Sequence, residues 1–241
     1  MTSGEAITGR PKPRGLSVVL PAFNEEANIA DSIGEMRAAV APLVDELEIV
    51  VVDDGSRDRT AERVTEEARN DPRVRLVQFP ENRGYGAAVT AGLRAARKPL
   101  VFFTDSDLQF DPRQIADLLA KIDEFPVVVG YRKNRQDPWF RKLNAWGWNL
   151  LMRFWFGLRV RDVDCAFKLL RAEVLAAMRL RAEGAFFSTE LLLRAQAAGY
   201  RICEVPVDHY PRKAGAPTGA RLAVILKAFS EMWRLRRELR G

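Results

Sequence analysis

Two aspartates near the middle of the chain are spaced so that both could bind one metal ion. Asp105 and Asp107 flank Ser106, and Gln109 follows two residues later. On extended backbone, alternate residues point to the same side, which would bring the two carboxylates and the amide together. Hard oxygen ligands of this kind suit Mg²⁺ or Mn²⁺, with phosphate oxygens filling the open positions. The spacing indicates a metal–nucleotide site, although acids at such a position can also cap a helix.

A second acidic pair and a glycine-containing loop could bind other parts of a nucleotide. Asp53 and Asp54 precede Gly55, and adjacent acids at the end of a buried strand are costly without a ligand or partner. The hydroxyls of a ribose and the N–H groups of a base would supply hydrogen-bond donors. The sequence Asn82-Arg83-Gly84-Tyr85-Gly86 opens a predicted helix, where backbone amides can approach an anion. The third glycine of a dinucleotide fingerprint is missing, which argues against a dehydrogenase.

Five short apolar segments must position these side chains, because the polar groups directly follow several of them. The predicted strands are Leu16–Leu20, Leu47–Val52, Val74–Phe79, Leu100–Phe103 and Val127–Val129. Helical patterns lie between them, near residues 25–41, 58–70, 85–97 and 112–124. Nearly all-apolar strands that alternate with helices are typical of a parallel sheet covered on both faces, with ligands at the carboxyl ends of the strands. The sequence therefore predicts an α/β fold with its polar groups at one edge.

The overall composition limits the possible functions without choosing one. The chain has 241 residues and a net charge of +6, divided as −5 over residues 1–120 and +11 over residues 121–241. The single histidine, His209, excludes a multi-histidine metal site, and two cysteines are too few for a disulfide framework. No segment approaches the roughly 18 apolar residues of a membrane span. We expect a cytosolic protein with a disordered segment 1–15, a domain over 16–217 and a basic helix over 218–241.

Aromatic and basic residues are concentrated in the second half of the chain. Four of the five tryptophans fall within residues 139–161, together with five basic residues and no acid. Such a segment suits a helix in a lipid headgroup layer, although aromatic residues at helical spacing usually belong to a core. Residues 221–241 repeat the pattern, with six basic residues against two acids. The sequence leaves open whether that tail contacts a membrane, the domain or a second copy.

A series of short motifs resembles the family 2 inverting glycosyltransferases of the GT-A fold, and most closely the branch similar to dolichyl-phosphate mannose synthase. In chain order the motifs are P-A-F-N-E at 21–25, D-D-G-S at 53–56, N-R-G-Y-G-A-A at 82–88, D-S-D-L-Q at 105–109, G-Y-R at 130–132, D-C-A-F-K at 164–168, F-S-T-E-L at 187–191 and E-V-P-V-D-H-Y-P-R at 204–212. The resemblance implies a Rossmann-like, mostly parallel GT-A sheet with helices on both faces, plus amphipathic interfacial helices. One departure is that residues 213–219 lack the Ser/Lys pair often found there in relatives.

The resemblance also implies a function and a role for each matching residue. The function would be transfer of a hexose, from a donor such as GDP-mannose or UDP-glucose, to a polyprenyl or dolichyl phosphate at the cytosolic membrane face. The nucleotide sugar would contact Pro21, Ala22, Phe23, Glu25, Asp53, Gly84, Asp105, Ser106 and Asp107. Asp105, Asp107 and Gln109 would hold Mg²⁺ or Mn²⁺. Arg132 and Arg212 would neutralise phosphate, since arginine presents a planar fork to its oxygens.

The acceptor decides which further groups the reaction needs. A lipid phosphate is already anionic near neutral pH, so alignment and metal stabilisation of the leaving diphosphate would suffice. A saccharide hydroxyl would need a carboxylate base, for which Asp164 and Glu190 are the candidates. Glu190 could instead simply belong to the first turn of a helix.

Partners follow from the same interpretation. They would be the nucleotide sugar, the polyprenyl phosphate, an anionic membrane surface and a membrane-protein subunit. Two alternatives are a catalytically silent nucleotide-sugar binder and a basic nucleic-acid-binding protein. The acids at the strand ends argue against nucleic acid, because they would repel a polyanion.

Overall fold

The computed structural model describes residues 15–133, 139–211 and 222–238, with side chains described outside 139–145 and 222–228. The predicted disordered segment 1–15 lies almost entirely outside these ranges. The strands are β1 (Leu16–Ala22), β2 (Leu47–Asp53), β3 (Val74–Gln78), β4 (Leu100–Thr104), β5 (Val127–Lys133), β6 (Phe167–Arg171) and β7 (Ile202–Asp208). The helices are α1 (Ile29–Val40), α2 (Thr60–Asn70), α3 (Tyr85–Ala95), α4 (Ile115–Leu119), α5 (Trp139–Phe156), α6 (Ala172–Ala176), α7 (Phe187–Ala197) and α8 (Leu222–Glu238).

These strands form one mixed sheet in the order β3-β2-β1-β4-β6-β5-β7. Neighbours from β3 to β4 are parallel, β6 runs antiparallel between β4 and β5, and β7 returns parallel to β5. The carboxyl ends of β1, β2, β4 and β5 therefore meet the amino end of β6 at one edge. The predicted mostly parallel α/β sheet is confirmed, with β6 as its antiparallel member.

The sheet is buried on both faces, which explains the nearly continuous apolar strands. Alternate residues of β1 enter opposite cores: Val18 packs with α1 and α4, and Val19 with α3. The second core also contains Met232 and Leu235 of α8, which are almost fully buried. The C-terminal helix therefore packs against the domain, one of the three arrangements that the sequence left open.

The five predicted strands are all present, whereas β6 and β7 were not predicted. The core strand β6 reads Phe-Lys-Leu-Leu-Arg, so a buried lysine interrupts its apolar pattern. The edge strand β7 contains Pro206, which an edge position tolerates because it needs no second row of hydrogen bonds. The helix predicted near 112–124 is shorter, with a 3₁₀ turn over Pro112–Gln114 before α4.

Close packing between α3 and the sheet generates a stability prediction. A Cβ atom at Gly92 would lie 2.2 Å from Cγ1 of Val19 and 3.0 Å from Cγ2 of Val52. We expect Gly92→Ala to lower the free energy of unfolding by about 1–3 kcal/mol through overpacking. Gly34→Ala in α1 is the matched control, because nothing lies within 4 Å of its Cβ position. Urea denaturation should show a gain of about 0.5–1 kcal/mol for the control, and equal effects at both sites would contradict this packing.

Candidate active site

The loops after β1 and β2 are joined by side-chain hydrogen bonds. The backbone N–H of Asn24 donates to Oγ of Ser56 over 2.9 Å, and the N–H of Arg57 donates to Oδ1 of Asn24 over 2.9 Å. The N–H of Glu25 donates to Oγ1 of Thr60 over 2.8 Å. Asn24 has a φ of +55°, in the left-handed region that asparagine tolerates. The connections fix the turn after Pro21, Ala22 and Phe23, of which only the third is partly exposed.

The two acids at the carboxyl end of β2 have different environments. Asp53 is fully buried, and its carboxylate accepts hydrogen bonds from the backbone N–H three residues later, over 3.1 Å, and from Nε2 of Gln78, over 3.2 Å. Asp54 accepts from the N–H groups of Arg83 and Gly84, over 2.7 and 2.9 Å. Burial raises the pKa of Asp54. Asp54 therefore anchors the glycine-containing loop, which brings Gly84 to the same edge as Asp53.

The metal motif after β4 is held by a serine and is not extended. Oγ of Ser106 donates to the carbonyl oxygen of Pro21 over 2.9 Å, and Oγ of Ser32 donates to the carbonyl oxygen of Ser106 over 2.7 Å. Leu108 has a φ of +59°, so the chain turns sharply after Asp107. The expectation of extended backbone through the motif is wrong. The turn keeps Asp107 largely buried.

The electrostatics of the aspartate pair are suited to a cation. Burial and the neighbouring charge of Asp107 raise the pKa of Asp105 to about 7, whereas the nearby hydroxyl of Tyr85 and the charges of Lys168 and Arg132 act in the opposite direction. A bound cation would stabilise both carboxylates in their charged form. Within the described ranges, no three His, Cys, Asp or Glu residues form a metal-binding group. Two carboxylates fit Mg²⁺ or Mn²⁺ when phosphate and water complete the coordination.

Gln109 connects the metal motif to the end of β7. Its Nε2 donates to the carbonyl oxygen of Tyr210 over 3.0 Å, and the N–H of Tyr210 donates to the Gln109 carbonyl over 2.8 Å. The adjacent residues Phe110 and His209 form an antiparallel bridge. Gln109 thus has a structural contact in addition to its predicted place as a metal ligand, which stays a prediction.

A cationic corner, formed by Arg132 and Lys168, lies on the β5–β6 side of the aspartates. Nε and Nη2 of Arg132 pair with the Asp162 carboxylate over 2.7 and 2.8 Å, which orients the guanidinium. Lys168 is fully buried, and its Nζ donates to the carbonyl oxygens of Val163, over 3.1 Å, and Cys165. Burial lowers the pKa of Lys168.

Sequence reasoning missed Lys168 of this corner and Asp162, the carboxylate partner of Arg132. The signal for Lys168 was a lysine within an apolar run, whereas Asp162 lies in a charged stretch that gives no pattern. Of the other predicted residues here, Asp164 is exposed on the loop before β6. The second predicted phosphate ligand, Arg212, lies outside the described residues.

Glu190 belongs to a buried network. Its Oε2 accepts from the N–H groups of Arg181 and Ala182, over 2.8 and 2.6 Å, and its Oε1 accepts from Nε of Arg194 over 2.7 Å. Nη2 of Arg194 also pairs with Glu238 of α8 over 2.7 Å. Glu190 lies in the first turn of α7, as its alternative interpretation expected, and these contacts favour a structural role.

Comparison with solved structures identifies the fold. The glucosyl-3-phosphoglycerate synthase of Mycobacterium tuberculosis, in complex with Mn²⁺, UDP-glucose and phosphoglyceric acid, matches with a TM-score of 0.71 and 24% identity, over 92% of this chain and 80% of that chain. A second crystal structure, described as a mycobacterial protein, matches with a TM-score of 0.73 and 23% identity over 92% of this chain and 74% of its own. The likeness confirms the predicted GT-A fold.

The family model for glycosyl transferase family 2 matches residues 17–179, and the chain belongs to this family. The dodecaprenyl-phosphate galacturonate synthase of Rhizobium johnstonii is 32% identical over 99% of this chain and 73% of its own length. The undecaprenyl-phosphate 4-deoxy-4-formamido-L-arabinose transferase of Edwardsiella ictaluri is 36% identical over 83% of this chain and 61% of its own length. The family assignment made from the motif series is confirmed.

The contacts of Glu190 predict a loss of stability without a loss of chemistry. We expect Glu190→Gln to lower the free energy of unfolding by about 1–3 kcal/mol, because a buried charged acceptor is removed. The kcat of the folded fraction and the shape of its pH profile should not change. Glu173→Gln is the control, since its ion pair with Arg171 is largely exposed. A Glu190→Gln enzyme with normal stability, a strongly reduced kcat and no acidic limb in its pH profile would instead identify Glu190 as a base.

Proposed function

We propose that this protein transfers a glycosyl group, with inversion, from a nucleotide sugar to a polyprenyl phosphate. The observation that carries the proposal is one sheet edge on which the Asp105–Asp107 pair adjoins the cationic corner. An acidic pair suits a metal-bound diphosphate, and a buried cationic group suits a second phosphate. The names of both curated relatives refer to a prenyl phosphate, which supports the same kind of acceptor.

The donor would lie across the carboxyl ends of β1, β2 and β4. Asp105 and Asp107 would hold Mg²⁺ or Mn²⁺, with Gln109 as a further ligand. The bound cation would neutralise charge on the leaving diphosphate. The proposed nucleotide-sugar contacts are Pro21, Ala22, Phe23, Glu25, Asp53, Gly84 and Ser106. The donor sugar would be a hexose, and the galacturonate and formamido-arabinose in the relatives' names widen the set of donors to test.

The acceptor phosphate would lie against Arg132, with Arg212 as a second proposed contact. The second pKa of a phosphate monoester is about 6, so its oxygen is a competent nucleophile without a strong base. The occupied carboxylate of Glu190 agrees with such a reaction. Asp162 would act on the acceptor only through Arg132, by fixing the plane of its guanidinium. The main task of the protein would then be alignment of the two substrates.

Helices α5 and α8 carry an exposed aromatic face. We define this aromatic face by five exposed side chains of α5 and α8, namely Trp146, Leu150, Phe154, Phe229 and Trp233. Phe154 is 85% exposed. The two helices are joined through aromatic contacts, with ring centroids 5.8 Å apart for Trp148–Phe229 and 5.1 Å apart for Trp155–Trp233. Exposed arginines at 153, 234 and 237 belong to the same helices.

We propose that the aromatic face contacts the anionic surface of a membrane, with the arginines near lipid headgroups. Helix α5 also connects this face to the cationic corner: Nδ2 of Asn149 donates to the Arg161 carbonyl over 2.8 Å, next to Asp162. A lipid held at the face could therefore present its phosphate to Arg132. Among the described residues, no helix is both long and apolar enough to cross a bilayer. The proposed attachment is peripheral, at the cytosolic face, with a membrane-protein subunit as a further proposed partner.

Product analysis tests the proposed reaction. The full chain with Mn²⁺ or Mg²⁺, undecaprenyl phosphate and a panel of radiolabelled nucleotide sugars should give a lipid-extractable product with at least one donor. We expect Asp107→Asn to reduce turnover at least about 10²-fold, because charge stabilisation of the leaving group is lost. Asp117→Asn, in an exposed part of α4, is the control. Product formed only on saccharides would favour the hydroxyl-acceptor alternative, and RNA binding without turnover would favour the nucleic-acid alternative.

Charge placed on the aromatic face should separate membrane binding from donor binding. We expect Phe154→Glu to weaken cosedimentation with phosphatidylglycerol vesicles by about tenfold or more, since apolar area is lost and an acid faces anionic lipid. Turnover on vesicle-borne acceptor should fall in parallel, while binding of the nucleotide sugar is unchanged. Ala116→Glu adds the same charge on exposed α4, against the opposite face of the sheet. Equal vesicle binding by both variants would exclude this face.

A further inference from the structure

The guanidinium of Arg236 lies against two tryptophan rings, one from each of the helices α5 and α8. Its Cζ atom lies 4.5 Å from the centroid of the Trp155 ring and 5.9 Å from that of the Trp233 ring. The two rings meet edge to face, with their centroids 5.1 Å apart. A cation within about 6 Å of an indole ring is attracted to its face. The two rings therefore hold the guanidinium at the junction of the helices.

The hydrogen-bonding capacity of this guanidinium is not used up by the protein. Nε of Arg236 is buried and, within the part of the chain that the structure describes, has no hydrogen-bond acceptor. The side chain as a whole is half-buried. An arginine carries five N–H donors, and a buried donor without an acceptor opposes folding. The arrangement therefore favours an acceptor that comes from another molecule.

The acids of the two helices are absent or already engaged elsewhere. Helix α5 contains no acidic residue, and α8 contains two, Glu231 and Glu238. Glu231 is buried and accepts the N–H of Glu183 over 3.3 Å. Glu238 forms ion pairs of 2.7 Å with Arg181 and with Arg194. An anion that binds Arg236 would therefore find a cation that the acids of its own helix do not neutralise.

Arg236 differs from its neighbours Arg234 and Arg237 in how far its side chain is fixed. Both neighbours are exposed, so their charges attract any anionic surface without a defined geometry. A guanidinium held in one plane can instead present two parallel donors to the oxygens of a phosphate. The adjoining Trp233 is 50% exposed on the aromatic face. An indole ring at that depth in a bilayer places the stacked guanidinium at the level of the lipid headgroups.

We propose that Arg236, held by Trp155 and Trp233, is a binding site for the phosphate of an anionic phospholipid headgroup. The inference rests on the membrane contact in the proposed function, and it names the lipid group that this surface recognises. The phosphate bound here belongs to a lipid of the surrounding bilayer, whereas the acceptor phosphate is assigned to Arg132. The aromatic face would thus combine apolar insertion with one oriented headgroup contact.

Substitution by lysine separates the planar fork from its charge. The full chain is cosedimented with vesicles of phosphatidylglycerol in digalactosyldiacylglycerol. We expect Arg236→Lys to bind these vesicles about tenfold more weakly, because the bidentate contact is lost while the charge stays. Arg234→Lys, on the exposed side of the same helix, is the control and should match the wild type. On vesicles of digalactosyldiacylglycerol alone, which lack both phosphate and charge, Arg236→Lys should also match the wild type.

A nuclear magnetic resonance signal of the side chain tests the headgroup contact directly. The Nε–H signal of Arg236 can be identified by its loss in Arg236→Lys. We expect this signal to shift when soluble dihexanoyl phosphatidylglycerol is added, because a phosphate oxygen then accepts hydrogen bonds from the guanidinium. Inorganic phosphate at the same concentration should leave the signal in place, since it lacks the apolar chains that hold a lipid at the aromatic face.

Four other outcomes would contradict the proposal. Equal binding of phosphatidylglycerol vesicles by Arg236→Lys and the wild type would exclude the site. Weaker binding of Arg236→Lys to both kinds of vesicle would show that the arginine only holds α5 against α8. An equal shift of the Nε–H signal with inorganic phosphate would identify a site for a soluble anion. Absence of vesicle binding by the wild type would overturn the membrane contact itself, which distinguishes that failure from failure of the Arg236 assignment alone.

Discussion

The arrangement of the molecule depends on one electrostatic constraint, the collection of carboxylates at a single buried edge of the sheet. Asp53, Asp54, Asp105 and Asp107 all lie at the carboxyl ends of parallel strands, and all four are at least partly withdrawn from water. Buried like charges oppose folding unless hydrogen bonds or cations offset them. Backbone N–H groups stabilise Asp54, whereas Asp105 keeps a raised pKa. The negative charge that remains uncompensated lies where a metal-bound diphosphate would be stabilised. The carboxylates that oppose folding at this edge are therefore the same groups that would bind the metal ion in the proposed function.

The excess of basic residues in the second half of the chain is not spread evenly over a surface. Arg132 pairs with Asp162, and Arg194 pairs with Glu190 and Glu238, so several arginines serve to hold loops and helices together. Exposed arginines also lie on α5 and α8, at positions 153, 234 and 237 beside the aromatic face. A nucleic-acid-binding surface would need its cations free along one path. The division into paired and exposed arginines fits a protein that binds a phosphate in a corner and approaches an anionic surface with two helices.

Much of the fold was predictable, because buried parallel strands leave a strong apolar pattern. That pattern alone predicted five of the strands and the sheet edge at which the polar residues lie. Strands β6 and β7 were not predicted, for physical reasons. Lys168 interrupts the apolar run of β6, and Pro206, a residue that is rare within strands, interrupts the pattern of β7. In the site, the spacing of the acids identified Asp105 and Asp107. It could not predict the turn at Leu108, because that turn requires a positive φ that a leucine rarely adopts. Likewise, no local pattern links the start of α3 to residues 182–184, since their contact is produced by tertiary packing.

Residues 181–183 connect the helix that carries part of the aromatic face to the helix that begins at the carboxylate edge. Glu231 of α8 accepts the N–H of Glu183 over 3.3 Å, and Glu183 in turn accepts the N–H of Ala87 in α3. Arg194 extends the link by joining Glu190, which holds residues 181–182, to Glu238. Buried hydrogen bonds to charged groups contribute about 1.5–3 kcal/mol each, so α8 is a structural support for the start of α3. A helix suited to touch a lipid surface is therefore also one that stabilises the start of α3 beside the carboxylate edge.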